Sequence, residues 1–169
     1  MRNDAINVFI LNDNVEVAGK LRRYLIKRFG DLLNISLFFS SRSCLRMLDN
    51  HVDLVVVDDY LNDNNGNNGT PGVEVLKRIK QEHPQTEVII LSSNEDIGTA
   101  VDAMRNGARE VIPNKRGAWQ RVMYIIDQTI HQPIRYLVAE YGVTVFVAIF
   151  LTTFVTMGVA VYLALRYLV

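Results

Sequence analysis

The stretch VDLVVVDDY at residues 52–60 decides the fold. Leu54 to Val57 is apolar at every position, and a strand reads that way when both of its faces are covered. Two carboxylates, Asp58 and Asp59, follow directly. Strands covered on both faces belong to parallel sheets, whose neighbours are joined by long crossovers, usually helices. The flanks should therefore alternate strand and helix, and they do. Upstream, Ile6 to Leu11 is an apolar-rich strand and Ile35 to Phe39 a second one. Between them, Val15 to Phe29 places Val17, Leu21, Tyr24, Leu25 and Arg28 at helical spacing and stops at Gly30. Ser41 is positioned to cap a helix running to about Asn50. Downstream, Val73 to His83 is amphipathic and ends before Pro84, and Val88 to Leu91 is a buried strand. Glu95 to Asn106 reads as a helix closed by Gly107, Glu110 to Ile112 as a short strand and Ala118 to His131 as a last helix. This alternation predicts an α/β domain with a doubly wound, five-stranded parallel sheet.

In such sheets function gathers at the carboxyl ends of the strands. Asn12-Asp13 ends the first strand, Asp58-Asp59 the third and Ser92-Ser93 the fourth, and Lys115 follows the fifth. Acids, hydroxyls and an ammonium thus converge on one edge. Neighbouring carboxylates repel and need a cation or a shared proton. Oxygen ligands alone point to a small hard cation, Mg²⁺ by default. A carboxylate beside such a cation, a lysine and a hydroxyl is equipped to attack a phosphoryl group. The alternative is that these acids and serines only cap the helices after the strands, which would account for any one of them.

Composition narrows the classes. Lys+Arg and Asp+Glu number 18 each and the pI is near 6.8, whereas a free nucleic-acid binder carries a basic excess. A hydrophobic fraction of 49% excludes bulk disorder. Cys44 is the single cysteine, which excludes an internal disulfide and a cysteine-rich zinc site and suggests a reducing compartment. His51, His83 and His131 are scattered near element ends. Arg22-Arg23, Lys27-Arg28 and Lys77-Arg78-Lys80 read as solvated helix faces. Trp119, Val122, Met123, Ile126 and Ile130 form an apolar stripe suited to core or dimer contact.

Residues 143–165, VTVFVAIFLTTFVTMGVAVYLAL, hold no charge, Asn, Gln, His or Pro. As a helix this segment would be roughly 34 Å long, enough to cross a hydrocarbon core of about 30 Å. A transmembrane helix is expected there, with a buried core helix as the alternative. Pro133 opens a juxtamembrane helix over 133–142, and 166–169 form a short tail. The chain is expected to be tail-anchored, without a cleavable signal at MRNDAINVFI and without a DNA-binding output domain after the last helix of the body. Arg135 and Arg166 flank the span and leave orientation undecided. Ala148, Thr152, Thr156, Ala160 and Ala164 recur every four residues, a row that permits close approach to another membrane helix or to a second copy.

VDLVVVDD at 52–59 with PGVEVLKRIK at 71–80, EVIILSS at 87–93 and GAREVIPNK at 107–115 together resemble the response-regulator receiver domain of two-component signalling. The resemblance covers about residues 5–131, with the receiver module taken as 1–132. It implies the flavodoxin-like receiver fold and a signalling module rather than an enzyme. It implies a phosphoryl group taken by Asp58 from a histidine kinase or phosphotransfer protein, and output through protein contacts. Asp13 and Asp58 match metal-binding acids, the backbone carbonyl of Tyr60 a further Mg²⁺ ligand, Ser92 the hydroxyl that reports phosphorylation, and Lys115 the lysine that pairs with the phosphoryl group. A kinase-facing body implies a cytoplasmic domain on a single-pass inner-membrane protein.

The chain departs from the family pattern in four places. Asn12 stands where a second acid is usual, reaching Mg²⁺ only weakly, through water. Val111 or Ile112 takes the place of the switch aromatic. Lys115 precedes Arg116 instead of Pro and lies one residue further from Gly107-Ala108. The segment after Asp58, DYLNDNNGNNGTP to Pro71, is long and rich in Asn-Gly turns, and reads as a flexible surface loop, with a partner-specific contact as the alternative. These departures keep open a second function, a non-switching docking subunit of a membrane complex.

Overall fold

The computed structural model describes residues 5–62, 69–93, 97–130, 147–158 and 160–162. They fall in two compact units, Met1–Ile126 and Asp127–Val169. In the first, β1 (Ile6–Leu11) is followed by α1 (Val15–Phe29), β2 (Leu33–Phe38), α2 (Ser41–Met47) and β3 (Leu54–Asp58). Two short strands, β4 (Tyr60–Leu61) and β5 (Thr70–Pro71), precede α3 (Gly72–Glu82), β6 (Glu87–Ser92), α4 (Ile97–Arg105), β7 (Glu110–Pro113) and α5 (Ala118–Ile130).

The main sheet is parallel, in the order β2-β1-β3-β6-β7. β3 is buried over Leu54 to Val57 because β1 and β6 flank it and helices cover both faces. One face packs Phe9, Leu11, Val55, Val57, Val88 and Ile90 against Cys44 of α2, Val75, Leu76 and Ile79 of α3, and Ala103 of α4. The alternate set, Val8, Ile10, Leu54, Val56 and Ile89, points the other way. There α1 buries Leu21 and Leu25 and α5 buries Val122, Ile125 and Ile126. Tyr24 of α1 meets Trp119 of α5 with ring centroids 5.7 Å apart.

Local chemistry explains the boundaries. Asn14 caps α1 by accepting the N–H groups of Glu16 and Val17, and Gly30 at φ +55° ends it. The cap of α2 is Ser40, not the expected Ser41: Ser40 is extended and its hydroxyl accepts the Ser43 N–H. That helix stops at Met47, short of Asn50, because Leu48 turns extended and is buried, as is Val52. Lys80 is also more than a solvated face residue. Its Nζ donates to the Thr86 carbonyl at 2.7 Å and the Pro84 carbonyl at 3.3 Å, tying down the turn after α3.

The ends of the long loop after β3 are ordered as an antiparallel ribbon, Tyr60 opposite Pro71 and Leu61 opposite Thr70. The Gly72 N–H donates to the Asp59 carbonyl at 2.7 Å. Ladder bonds alternate in such a pair, so Pro71, with no N–H to give, takes a position that needs none. A Cβ on Gly72 would lie 2.3 Å from the Asp58 carbonyl oxygen, so the start of α3 can approach β3 this closely only with glycine.

Residues 147–158 and 160–162 of the second unit are helical and each of them is exposed, Phe150 and Phe154 at 70% and 68%. The hydroxyls of Thr152 and Thr153 donate to the Ile149 carbonyl and that of Thr156 to the Thr153 carbonyl, within their own helix. Among the described residues no helix is long and apolar enough to cross a membrane. The expected 143–165 span is described only in part, and the expected 133–142 helix and Ala164 lie outside the described residues.

Candidate functional site

Asp58 is the last residue of β3 and pairs in register with Leu91 of β6, next to Ser92. Asn12 and Asp13 follow β1 directly, and Asn114-Lys115 follow β7. The strand order therefore delivers every residue expected at the site to one edge. The Asn12 N–H donates to the Phe38 carbonyl at 3.1 Å and the Asn114 N–H to the Ser92 carbonyl at 2.6 Å, which continues the sheet at the strand ends.

The carboxylate of Asp58 is held by neutral donors. Asn12 Nδ2 donates to Oδ2 at 2.6 Å and the Asp59 N–H to Oδ1 at 2.9 Å. Asn12 is itself 5% exposed and its Oδ1 accepts the Asn14 N–H at 2.8 Å, which sets the amide's orientation. Burial, then the Asp59 carboxylate beside it, then more weakly Asp13, push the Asp58 carboxyl up to about 7. Asp13 follows Asn12 at the end of β1 and so stands at the same sheet edge. Its Oδ2 accepts both the N–H of Asn62, at 3.0 Å, and the Asn62 side-chain amide, at 2.8 Å. The ribbon after β3 is thereby fastened to the end of β1.

Asp59 faces the β6–α4 loop. Its carboxylate accepts the Ser92 hydroxyl at 3.1 Å, the Ser93 N–H at 2.8 Å and the Ser93 hydroxyl at 2.9 Å. Burial alone would raise its carboxyl, but the Ser93 and Ser92 donors and the Asp58 contact hold it below the ordinary carboxylate range. Ser92 is thus at the site as expected, with its hydroxyl on Asp59 and not on Asp58. Lys115 is exposed in the turn after β7. Its N–H donates to the Pro113 carbonyl at 2.7 Å and its own carbonyl accepts the Ala118 N–H at 3.0 Å. Val111, at the position expected to hold an aromatic, is partly buried against the core, and Ile112 is buried. Cys44 is fully buried, and burial pushes its thiol up to about 12, which removes it from any chemistry here.

One residue of the site, Asn62, escaped sequence reasoning, as did the direction in which Asp59 turns. Asn62 lies in the Asn/Gly-rich segment, where nothing distinguishes it from its neighbours. Asp59 was visible as half of an Asp-Asp pair, but which way each side chain turns is set by β6. The donors available to a cation are the carboxylates of Asp13 and Asp58 and the Tyr60 carbonyl. Tyr60 sits at the ribbon position whose own N–H and carbonyl turn away from the partner strand. This all-oxygen set fits Mg²⁺ chemically. It brings two carboxylates, and among the described residues no three of His, Cys, Asp or Glu gather as a metal site.

Comparisons with known proteins agree with this fold. The family model of the response regulator receiver domain matches residues 8–126. The luminescence regulatory protein LuxO of Vibrio campbellii is 29% identical over 104 residues, 61% of this chain and 21% of its own. The chain spans about a fifth of the length of the curated relatives it matches. Among solved structures, a response regulator receiver domain protein from Clostridium thermocellum is 24% identical with a TM-score of 0.63, covering 75% of this chain and 95% of its own. The receiver domain of DrrB, activated with BeF3, is 17% identical with a TM-score of 0.62, covering 75% and 97%.

Proposed function

Because the chain belongs to the response regulator receiver domain family, whose members accept phosphoryl groups in two-component signalling, we propose that Asp58 is its acceptor and that the donor is the phosphohistidine of a histidine kinase or phosphotransfer protein. The observation that carries this reading is the carboxylate of Asp58 at the end of the central strand, held by neutral donors 2.6 and 2.9 Å away, with Asp13 at the end of the neighbouring strand β1. An Asp58 oxygen attacks phosphorus, the P–N bond to the imidazole breaks, and the ring nitrogen keeps the electron pair and takes a proton. Asn12 and the Asp59 N–H fix the attacking carboxylate. Lys115, in the turn after β7 at the same edge, would neutralise the transferred group. Asp13, Asp58 and the Tyr60 carbonyl would hold Mg²⁺, which would supply positive charge against the phosphoryl oxygens. Incubation with a small phosphodonor and Mg²⁺ should add one phosphoryl group by intact mass, removed by base or hydroxylamine, and Asp58→Asn should abolish it. No adduct on the wild-type chain at millimolar Mg²⁺ would favour the second reading, a docking module that does not switch. That reading draws support from Asn12 in place of an acid and from the engagement of Ser92 by Asp59.

The receiver module, residues 1–132, is read as tethered to the inner membrane through 143–165 and facing the cytoplasm. Supporting this are the uncharged sequence, the exposed apolar helix at 147–158 and the Thr hydroxyls bonded within their own helix, as lipid requires of polar groups. With those hydroxyls engaged, association through the small-residue row rests on close packing. Protease added to spheroplasts should spare residues 1–142; digestion without lysis would refute the orientation. Leu at Thr156 and Ala160 should block crosslinking in membranes, while Leu at Val155 and Val159 should not.

A further inference from the structure

Asp59 adjoins the acceptor carboxylate, yet its own carboxylate is turned to the loop between β6 and α4. It takes the Ser92 hydroxyl at 3.1 Å and the Ser93 N–H at 2.8 Å, and the Ser93 hydroxyl reaches its two oxygens at 2.9 and 3.0 Å. The backbone of Asp59 is fixed at the same time. Its N–H donates to the Leu91 carbonyl at 2.9 Å and its carbonyl accepts the Gly72 N–H at 2.7 Å. Asp59 therefore cannot follow the loop if the loop moves. Hydrogen bonds to an ionised acceptor are about twice as strong as neutral ones, so the Asp59 carboxylate is a firm attachment for the described start of the loop. A serine hydroxyl carries a single proton. While Ser92 donates it to Asp59, it cannot donate it to an oxygen of a phosphoryl group on Asp58.

We propose that Asp59 is a latch of the resting state, a positioning residue whose carboxylate holds Ser92 and Ser93, so that a phosphoryl group on Asp58 has to win the Ser92 proton from it. The inference rests on the phosphoacceptor reading of Asp58. Asp59 touches no transferred atom. It acts on the balance between two loop positions, and a ligand shifts such a balance only by its difference in affinity for the two. Weakening the latch raises the fraction of the receptive loop and with it the apparent affinity for anything that mimics a phosphoryl group.

The test uses the full chain in detergent micelles with Mg²⁺ and beryllofluoride as the phosphoryl mimic. Binding is followed by ¹⁹F NMR and the loop by amide hydrogen exchange. Asp59→Ala should tighten beryllofluoride about tenfold, and Ser93→Ala, which changes no charge, about threefold. The double variant should bind no more tightly than Asp59→Ala, because Ser93 acts through Asp59. The Ser93 amide should exchange at least about tenfold faster in Asp59→Ala than in the wild type, with no ligand present. Tightening by Asp59→Ala with no change for Ser93→Ala would reduce Asp59 to a through-space charge and overturn the latch, as would equal exchange of the Ser93 amide. If no variant and no wild-type chain binds beryllofluoride while Asp59 still protects that amide, the acceptor reading of Asp58 fails. The contact is then a structural tie without regulatory consequence.

Discussion

The two ends of the sheet treat charge in opposite ways. At the amino end, Glu87, the first residue of β6, meets Arg109, just before β7, in an ion pair whose side chains are 13% and 19% exposed. Asp53 accepts the Asn7 N–H at 2.8 Å, the Thr86 hydroxyl donates to the Val52 carbonyl at 3.0 Å, and Lys80 caps two carbonyls of the neighbouring turn. At the carboxyl end Asp13, Asp58 and Asp59 stand at one sheet edge, and the donors that hold them are amides and hydroxyls. One end pairs its largely buried acid, Glu87, with a base and serves stability. The other keeps an excess of negative charge that a cation or an incoming ammonium can relieve.

That contrast can be broken most sharply by sterics at the carboxyl end. Gly72→Ala drives a Cβ into the Asp58 carbonyl and should destabilise the fold by about 3 kcal/mol in urea melts. A loss below about 1 kcal/mol would mean that the ribbon yields and the junction is not fixed. At the amino end, Arg109→Met breaks the ion pair with the largely buried Glu87, which should cost about 2 kcal/mol at neutral pH. If the melt does not move, the matched-charge description of that end fails.

The acidic end should show its character in a pH series without metal. The Asp58 carboxyl rises from its ordinary 3.8 to about 7, first through burial, so the folded state holds this proton more tightly than the unfolded state does. Below about pH 4 both states are protonated and stability is full; between there and pH 7 the unfolded state ionises first and stability falls, levelling above 7. Because Asp58 is only half-buried, the fall should amount to about 1–2 kcal/mol. Asp58→Asn should remove it and leave the chain more stable than wild type at pH 8, measured by urea titration in EDTA. A smaller change is expected from Asn12→Asp, which restores an acid beside Asp58. It should tighten Mg²⁺ about fivefold by calorimetry. Unchanged Mg²⁺ affinity would show that Asn12 does not limit the cation.

Much of this architecture was legible because burial on both faces leaves a mark that local residues carry. Leu54 to Val57 could not be a surface strand, and Val15 to Phe29, with its Asn14 cap and Gly30 stop, has the expected bounds. Asp13, Asp58, Ser92 and Lys115 were legible as one edge because parallel strands put their carboxyl ends together. Ends set by short-range competition were less so. Ser40 rather than Ser41 caps α2 because backbone conformation, not residue type, selects between adjacent serines. The ribbon of β4 and β5 interrupts what the Asn and Gly content marks only as a loop.

The sequence by itself determined the five strands of the main sheet, the helices between them and which titratable residues stand at the strand ends, since periodicity and end residues are local properties. The tertiary structure alone decided what those residues touch. Asn12 reaches Asp58 across 46 positions, Asn62 reaches Asp13 across 49, and Ser92 reaches Asp59 across 33. Each of these contacts exists because β1, β3 and β6 are neighbours, and strand order is set by how the whole core closes, not by the pattern within any one segment.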